Sequence, residues 1–338
     1  MAFRSLDPPL TAEQLQPLGA SDTRVQFSKA LSDAEYRAVG QLLANRPDVA
    51  LRVFGGYDGS IRDLEFLRWF PGLRRFQADA LWGSLRSIDG LRHLPPDLDE
   101  LGLGATKARL DLSILARFRS LRTLYLEGPV RDPSVLADLT TLEDLTLRSV
   151  TLPDLSLLVP MTGLRSLDVK LGGTNNLELL PRIGRLEYVE LWLVRGLSDV
   201  RTVAQIETLR HLFLQALRQV SMLPSFASSL ALRRVDLETM KGLTNLGPLA
   251  EAPGLEILNL VDFRHAQPSI LRPFIDHPTL RAGIWGFGSN RKNFAAQDLV
   301  PVPPEPWGYA DARRGKPSVP EPLPWDRPDW KWFRSARG

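Results

Sequence analysis

The stretch LTNLGPLAEAPGLEILNL, residues 243–260, counts its apolar positions first in threes and then in twos. Leu243, Leu246, Leu249, Ala252, Leu255 and Leu258 keep the longer step, and Leu260 follows after the shorter one. A single α-helix repeats every 3.6 residues and a single strand every 2, so neither accounts for the switch. The Leu-x-Leu end reads as a strand with alternate residues turned inward. The count in threes reads as a return path of 3₁₀ or extended segments, with one inward side chain per turn. One such coil cannot bury its apolar face alone, whereas a stack of them can.

The pattern recurs along the chain. A shorter form, Leu-x-x-Leu-x-Leu with apolar exchanges, begins at Leu73, Leu98, Leu121, Leu142, Leu164, Leu186, Leu209, Leu232 and Leu255, with weaker copies at Asp48 and Leu280. Successive starts lie 21 to 25 residues apart, and a fixed period in this range marks a solenoid. The expected fold is an α/β repeat solenoid of about eleven coils over residues 48–290. It should carry one parallel sheet on a concave face and short return segments behind it.

These motifs resemble those of the leucine-rich-repeat superfamily, in its short 22-residue, internalin-like class. The resemblance implies a protein-binding scaffold, and some members of the superfamily inhibit enzymes. It also implies an asparagine three residues after the last leucine of each strand. This chain departs from that pattern: Thr106, Pro129, Val150, Gly172, Val194, Leu217, Met240 and Phe263 stand there instead. The asparagine ladder is absent, and the turn backbone must find other partners, such as water.

The ends of an open stack need covering. Residues 1–47 are expected to form an N-terminal helical cap. Ser32–Glu35 reads as a capping box, and Tyr36, Val39, Leu42 and Leu43 share one helical face. Arg24–Phe27 is a candidate short strand. Residues 291–338 hold nine prolines between Pro301 and Pro328, together with Trp307, Trp325, Trp330 and Trp332. Regular structure is not expected there. The segment reads as a strap on the last coils, as a polyproline ligand for a partner's aromatic groove, or as a disordered tail.

Composition narrows the chemistry. The chain has 338 residues, 43% of them hydrophobic, and no cysteine. Disulfides, thiolate nucleophiles and cysteine–zinc sites are thereby excluded. The net charge of +3 resides in residues 291–338, and residues 1–290 are neutral. No basic stripe marks a nucleic-acid binder. No apolar run is long enough to cross a bilayer and no signal-peptide pattern opens the chain. Of the 42 basic residues, 35 are arginine, which fits a GC-rich bacterial source. A cytoplasmic monomer without cofactor or metal is expected. The four histidines, His93, His211, His265 and His277, are spread over several coils, so no triad or metal cluster is expected, and the chain does not read as an enzyme. Gly102 and Gly104 are outward strand positions expected to leave a shallow notch.

The outward face of the sheet carries the functional reading. Each strand presents its third, fifth and seventh motif residues there. These are Ser166, Asp168 and Lys170; Tyr188, Glu190 and Trp192; His211, Phe213 and Gln215; Arg234, Asp236 and Glu238. Tyr125 and Glu127 occupy the same columns earlier in the stack. Four aromatic side chains thus fall on the middle of an expected exposed face: Tyr125, Tyr188, Trp192 and Phe213. Aromatics anchor interfaces, although they also suit strand positions in general, and the C-terminal segment is a candidate cover for them. Asp168 and Glu190 stand side by side, where like charges repel, so a basic partner group would relieve both. The candidate protein-binding residues are Tyr125, Glu127, Asp168, Tyr188, Glu190, Trp192, His211, Phe213 and Asp236. Inhibition of a toxin or other enzyme, as an immunity protein does, and a role as a secreted bacterial effector are the alternatives. At the second motif position, Arg74, Asp99, Arg122, Glu143, Arg165, Glu187 and Arg210 nearly alternate in charge, as a solvated ion-pair ladder would.

Overall fold

The structure, a computed structural model, describes residues 2–304. The chain divides into two compact units, Met1–Val203 and Ala204–Gly338.

The sheet of the first unit begins earlier than the leucine motif. Strands Ala2–Leu6 and Asp22–Phe27 precede Ala50–Phe54 in a parallel ladder. They make the N-terminal cap a mixed one, where a helical cap was expected. Its helix, Asp33–Leu43, starts at the capping box. The Ser32 side chain accepts from the Glu35 amide, and the Glu35 carboxylate accepts from the Ser32 amide. Tyr36 of this helix stacks on Phe66 at 5.0 Å, and Phe27 meets both rings edge-on. Aromatic packing therefore closes this end.

Beyond the cap, strands Arg75–Asp79, Glu100–Leu103, Thr123–Glu127, Asp144–Arg148, Ser166–Lys170 and Tyr188–Trp192 follow in chain order, each parallel to the one before. Short 3₁₀ segments such as Glu65–Trp69, Asp89–His93 and Ser113–Arg117 form the return side. The second unit continues the same construction with strands His211–Gln215, Arg234–Glu238, Ile257–Val261 and Ala282–Trp285.

The stretch 243–260 shows why the chain counts as it does. The amides of Leu243, Leu249, Ala252 and Leu255 each donate to a carbonyl three residues back. One side chain per closure therefore points inward, until the strand Ile257–Val261 imposes its own alternation. The centre of this return is a four-residue α-turn, Gly247–Ala250, rather than a 3₁₀ or extended segment. All seven apolar positions of the count are fully buried.

The corners explain how the coils manage without asparagine. A non-glycine residue in the left-handed region directly follows the strand in most coils: Ala80, Ser149, Leu171 and Leu193 in the first unit, and Ala216, Thr239 and Asp262 in the second. Such a conformation costs an L-residue roughly 1–2 kcal/mol. In return it turns the backbone amide toward the next coil. The Ser149 amide donates to the Lys170 carbonyl at 2.7 Å and the Leu171 amide to the Trp192 carbonyl at 2.8 Å. In the second unit the Ala216 amide donates to Glu238 and the Thr239 amide to Val261, each at 2.8 Å. One residue later, Val150, Val194, Leu217, Met240 and Phe263 are buried. An apolar spine thus occupies five of the eight positions where asparagine was expected, and backbone carbonyls meet donors that were left to other partners.

Residues 291–299, read as irregular, are helical. The helix Asn290–Leu299 is capped by Ser289, whose hydroxyl accepts from the Lys292 amide. The helix packs on the return segment Pro268–Phe274 and on the last strand. After it the chain runs back along that strand: Trp285 Nε1 donates to the Val300 carbonyl, and the Gly283 amide donates to the Pro303 carbonyl at 3.0 Å. Trp307, Trp325, Trp330 and Trp332, and with them the choice between strap, ligand and tail, lie outside the described residues.

Candidate functional site

In the first unit, the outward columns run across four strands in register. Tyr125, Thr146, Asp168 and Glu190 form the central column, and Glu127, Arg148, Lys170 and Trp192 the one beside it. The reading of Asp168 beside Glu190 holds geometrically, but its consequence differs. Lys170 Nζ lies 2.9 Å from Asp168 Oδ2 and 2.9 Å from Glu190 Oε2. The basic group expected from a partner is supplied by the chain itself. Thr146 Oγ1 donates to Asp168 Oδ2, and Tyr188 Oη donates to Glu190 Oε2 at 2.9 Å.

Burial makes this cluster electrostatically tense. Glu190 is only 4% exposed. Its burial, reinforced by the charge of Asp168, raises its pKa above the ordinary carboxylate value, with Lys170 and Tyr188 opposing. Lys170 keeps its proton more firmly than usual: burial works against its charge, but Asp168 and Glu190 outweigh it.

The aromatic residues are less available than expected. Tyr188, at 3% exposed, is buried, and so is Phe213 of the second unit, at 6%. Tyr125 and Trp192 are half-buried. The Tyr125 hydroxyl donates to Glu127 Oε2 at 2.8 Å, and burial followed by the Glu127 charge raises its pKa. Arg148 links the two residues. Its Nε lies 3.2 Å from Glu127 Oε1, and its guanidinium carbon sits 5.5 Å from the centre of the Trp192 ring. Trp192, like Tyr125, is thus an aromatic side chain of this face that retains surface beside a charged neighbour.

In the second unit, His211, Asp236 and Asn259 are buried on the outward face with Arg234. His211 Nε2 approaches Asp236 Oδ2 at 2.5 Å, Arg234 Nε donates to the same oxygen at 3.0 Å, and Asn259 donates to Asp236 Oδ1 at 2.6 Å. Arg234 and Asn259 were not among the candidate residues. The register that aligns Asp236 with Asn259 was legible in the motif, but the hydrogen bonding was not.

The other expectations resolve locally. His93 Nε2 lies 3.1 Å from Glu65 Oε2, His265 contacts the Leu243 carbonyl and His277 the Ala250 carbonyl. These are contacts within the return paths. Gly102 is buried, and a Cβ there would lie 3.2 Å from Gln77 Cγ, so the Gln77 side chain narrows the expected notch. The charged edge column forms pairs: Arg74 with Asp99 at 3.1 Å, Arg122 with Glu143 at 2.8 Å, and Arg165 with Glu187 at 2.7 Å. Among the described residues there is no group of three or more His, Cys, Asp or Glu able to hold a metal, and no helix long and apolar enough to cross a membrane.

A parallel ladder, one strand per leucine motif, with 3₁₀ returns, defines a leucine-rich-repeat solenoid. Among solved structures the chain is similar to an internalin, InlF of Listeria monocytogenes, with a TM-score of 0.54 and 16% identity over 82% of this chain and 76% of that one. It also matches internalin C2 of the same organism, with a TM-score of 0.41 and 19% identity over 69% of this chain and 85% of that one. A third match is TLR13 in complex with a single-stranded RNA, with a TM-score of 0.43 and 15% identity over 84% of this chain and 49% of that one. No family model matches the chain, and no curated protein does.

Proposed function

We propose that the protein is a binding scaffold whose outward sheet face in the first unit recognises another protein. The observation that carries this reading is Trp192, half-buried beside the Arg148 guanidinium. An aromatic ring already held by its neighbours loses little freedom on binding, which is the condition for a strong anchor. Around it, the four strands from Thr123–Glu127 to Tyr188–Trp192 place four carboxylates and two basic groups on the outward columns. That excess favours a basic partner surface and disfavours nucleic acid. Glu127, which is half-buried, is the accessible acid, and Tyr125 extends the contact. Asp168, Glu190 and Tyr188 support the surface from below. His211, Phe213 and Asp236 of the second unit, buried as they are, serve as the equivalent support on that unit's own face.

No catalytic step and no cofactor is part of this reading. Inhibition of an enzyme with a basic active site is its most specific form, favoured by the same acidic excess. The test is recovery of the partner from native extract by the intact protein, followed by titration calorimetry with Trp192→Ala. Wild-type affinity in a folded Trp192→Ala protein would remove this face from consideration.

A further inference from the structure

At the edge of the first unit's sheet where the strands begin, three successive coils form an open cleft of about 570 Å³. Small-ligand sites commonly have volumes of about 300–1,000 Å³. Pro47, Pro71 and Pro95, one from each coil, follow one another along its lining at steps of 24 residues. Pro47 and Pro71 are exposed and Pro95 is half-buried. Proline has no amide donor, so these rings make an apolar wall.

The charges of the lining are unevenly matched. Asp48 is held by Arg46, whose Nε and Nη2 donate to its two oxygens at 2.9 and 2.8 Å. This contact holds its carboxyl below the ordinary carboxylate value. Asp97 and Asp99 share the guanidinium of Arg74. Nε and Nη2 donate to Asp99 at 3.2 and 3.1 Å, and Nη1 donates to Asp97. Two carboxylates against one cation leave a surplus negative charge, and the Asp97 side chain, 55% exposed, is the more accessible of the two. Arg75 is the converse case. It is exposed, and its side chain makes no hydrogen bond or ion pair among the described residues. Glu100, directly across from it, accepts from Gln77 Nε2 at 2.5 Å. Asp48 senses the charge of Arg75 only through space.

We propose that this cleft binds a small zwitterion with an apolar body, of the class of an aromatic α-amino acid. Its carboxylate pairs with the Arg75 guanidinium, whose planar fork suits a carboxylate. Its ammonium answers the surplus charge at Asp97, and its ring lies on the prolines. Asp97 is bonded to Arg74, the chain neighbour of Arg75, and both charges line the same cleft. A simple anion would leave Asp97 unanswered, and a simple cation would leave Arg75 so. The three aspartates also repel a polyanion. This inference does not depend on the binding role proposed for the outward face.

Titration calorimetry on the full-length protein tests it with three probes: L-phenylalanine, 3-phenylpropionate and 2-phenylethylamine. Saturable binding of phenylalanine is expected, with each singly charged analogue at least about tenfold weaker. Arg75→Gln should reduce the affinity for phenylalanine to about that for 2-phenylethylamine, and Asp97→Asn to about that for 3-phenylpropionate. Circular dichroism should show both variants folded, since both side chains are exposed. Absence of saturable binding of phenylalanine by the wild-type protein overturns the proposal. Equal affinity for phenylalanine and either analogue overturns the zwitterion assignment. Undiminished binding in both variants places the ligand elsewhere and overturns the site.

Discussion

Lys170 and Glu190 stand on adjacent strands, two pairing positions apart, with their charged atoms 2.9 Å from each other. The contact is diagonal: directly across from Lys170 is Trp192, and directly across from Glu190 is Asp168. One ammonium thus neutralises two carboxylates of different coils, and it does so at 9% exposure. Removing it leaves two buried negative charges facing each other. Breaking a buried pair from one side typically costs about 3–5 kcal/mol. Lys170→Met should fall in that range by urea denaturation. Arg122→Ala should cost no more than about 1 kcal/mol, because Arg122 is exposed and its pair with Glu143 is screened.

The same cluster gives stability a pH dependence with a definite sign. The folded-state pKa of Glu190 is raised above its ordinary 4.5 by burial and by Asp168. The folded state therefore holds this proton more tightly than the unfolded chain. The contribution is fully present below about 4.5 and is lost as pH rises through the folded value. Glu190→Gln keeps an acceptor for Tyr188 and Lys170 but cannot ionise. Its melting temperature should rise relative to wild type between pH 4.5 and neutrality, and the difference should vanish at lower pH. A constant difference across that range would contradict the assignment.

Phe263 tests the apolar spine. It stands at one of the positions where asparagine was expected and is fully buried. Truncating a buried phenylalanine costs about 3–5 kcal/mol. Phe263→Asn should cost at least as much, since its amide would also need partners in an apolar site. Chemical denaturation of the variant measures this. A neutral result would mean that a hydrogen-bonded ladder can replace the spine.

For binding, Trp192→Ala should weaken capture of the natural partner by about thirtyfold or more, corresponding to at least ~2 kcal/mol. Circular dichroism should remain that of the wild type. Glu127→Lys should act mainly on the association rate and most strongly at low salt. Arg122→Ala serves as the neutral control in the same calorimetric series.

The solenoid was legible because its signal repeats. Every Leu-x-x-Leu-x-Leu motif carries a strand, and the three-residue count of 243–260 corresponds to successive closures onto carbonyls three residues back. The strand Ala2–Leu6 was not legible, since AFRSL stands outside the repeat. The helix Asn290–Leu299 was obscured by the proline-rich composition after it, although Ser289 is an ordinary cap. The site was legible only in part. Register places Asp168 beside Glu190, but the answering charge sits in the next column, and comparing residues straight across a sheet does not find diagonal partners. Burial of Tyr188 and Phe213 was not legible either. The alternation of a strand says which way a side chain points and nothing about what lies above it.

The left-handed corners have a consequence for how such a chain changes length. Leu171 and Leu193 have nearly the same φ, 56° and 48°, at equivalent points one coil apart. Both positions hold the same side chain. A chain spliced from one corner to the other would lose a whole coil while meeting the same backbone path on the far side. The corners are natural joints for gene-level duplication and loss, and the 21- to 25-residue spacing of the motifs is the length such an exchange conserves.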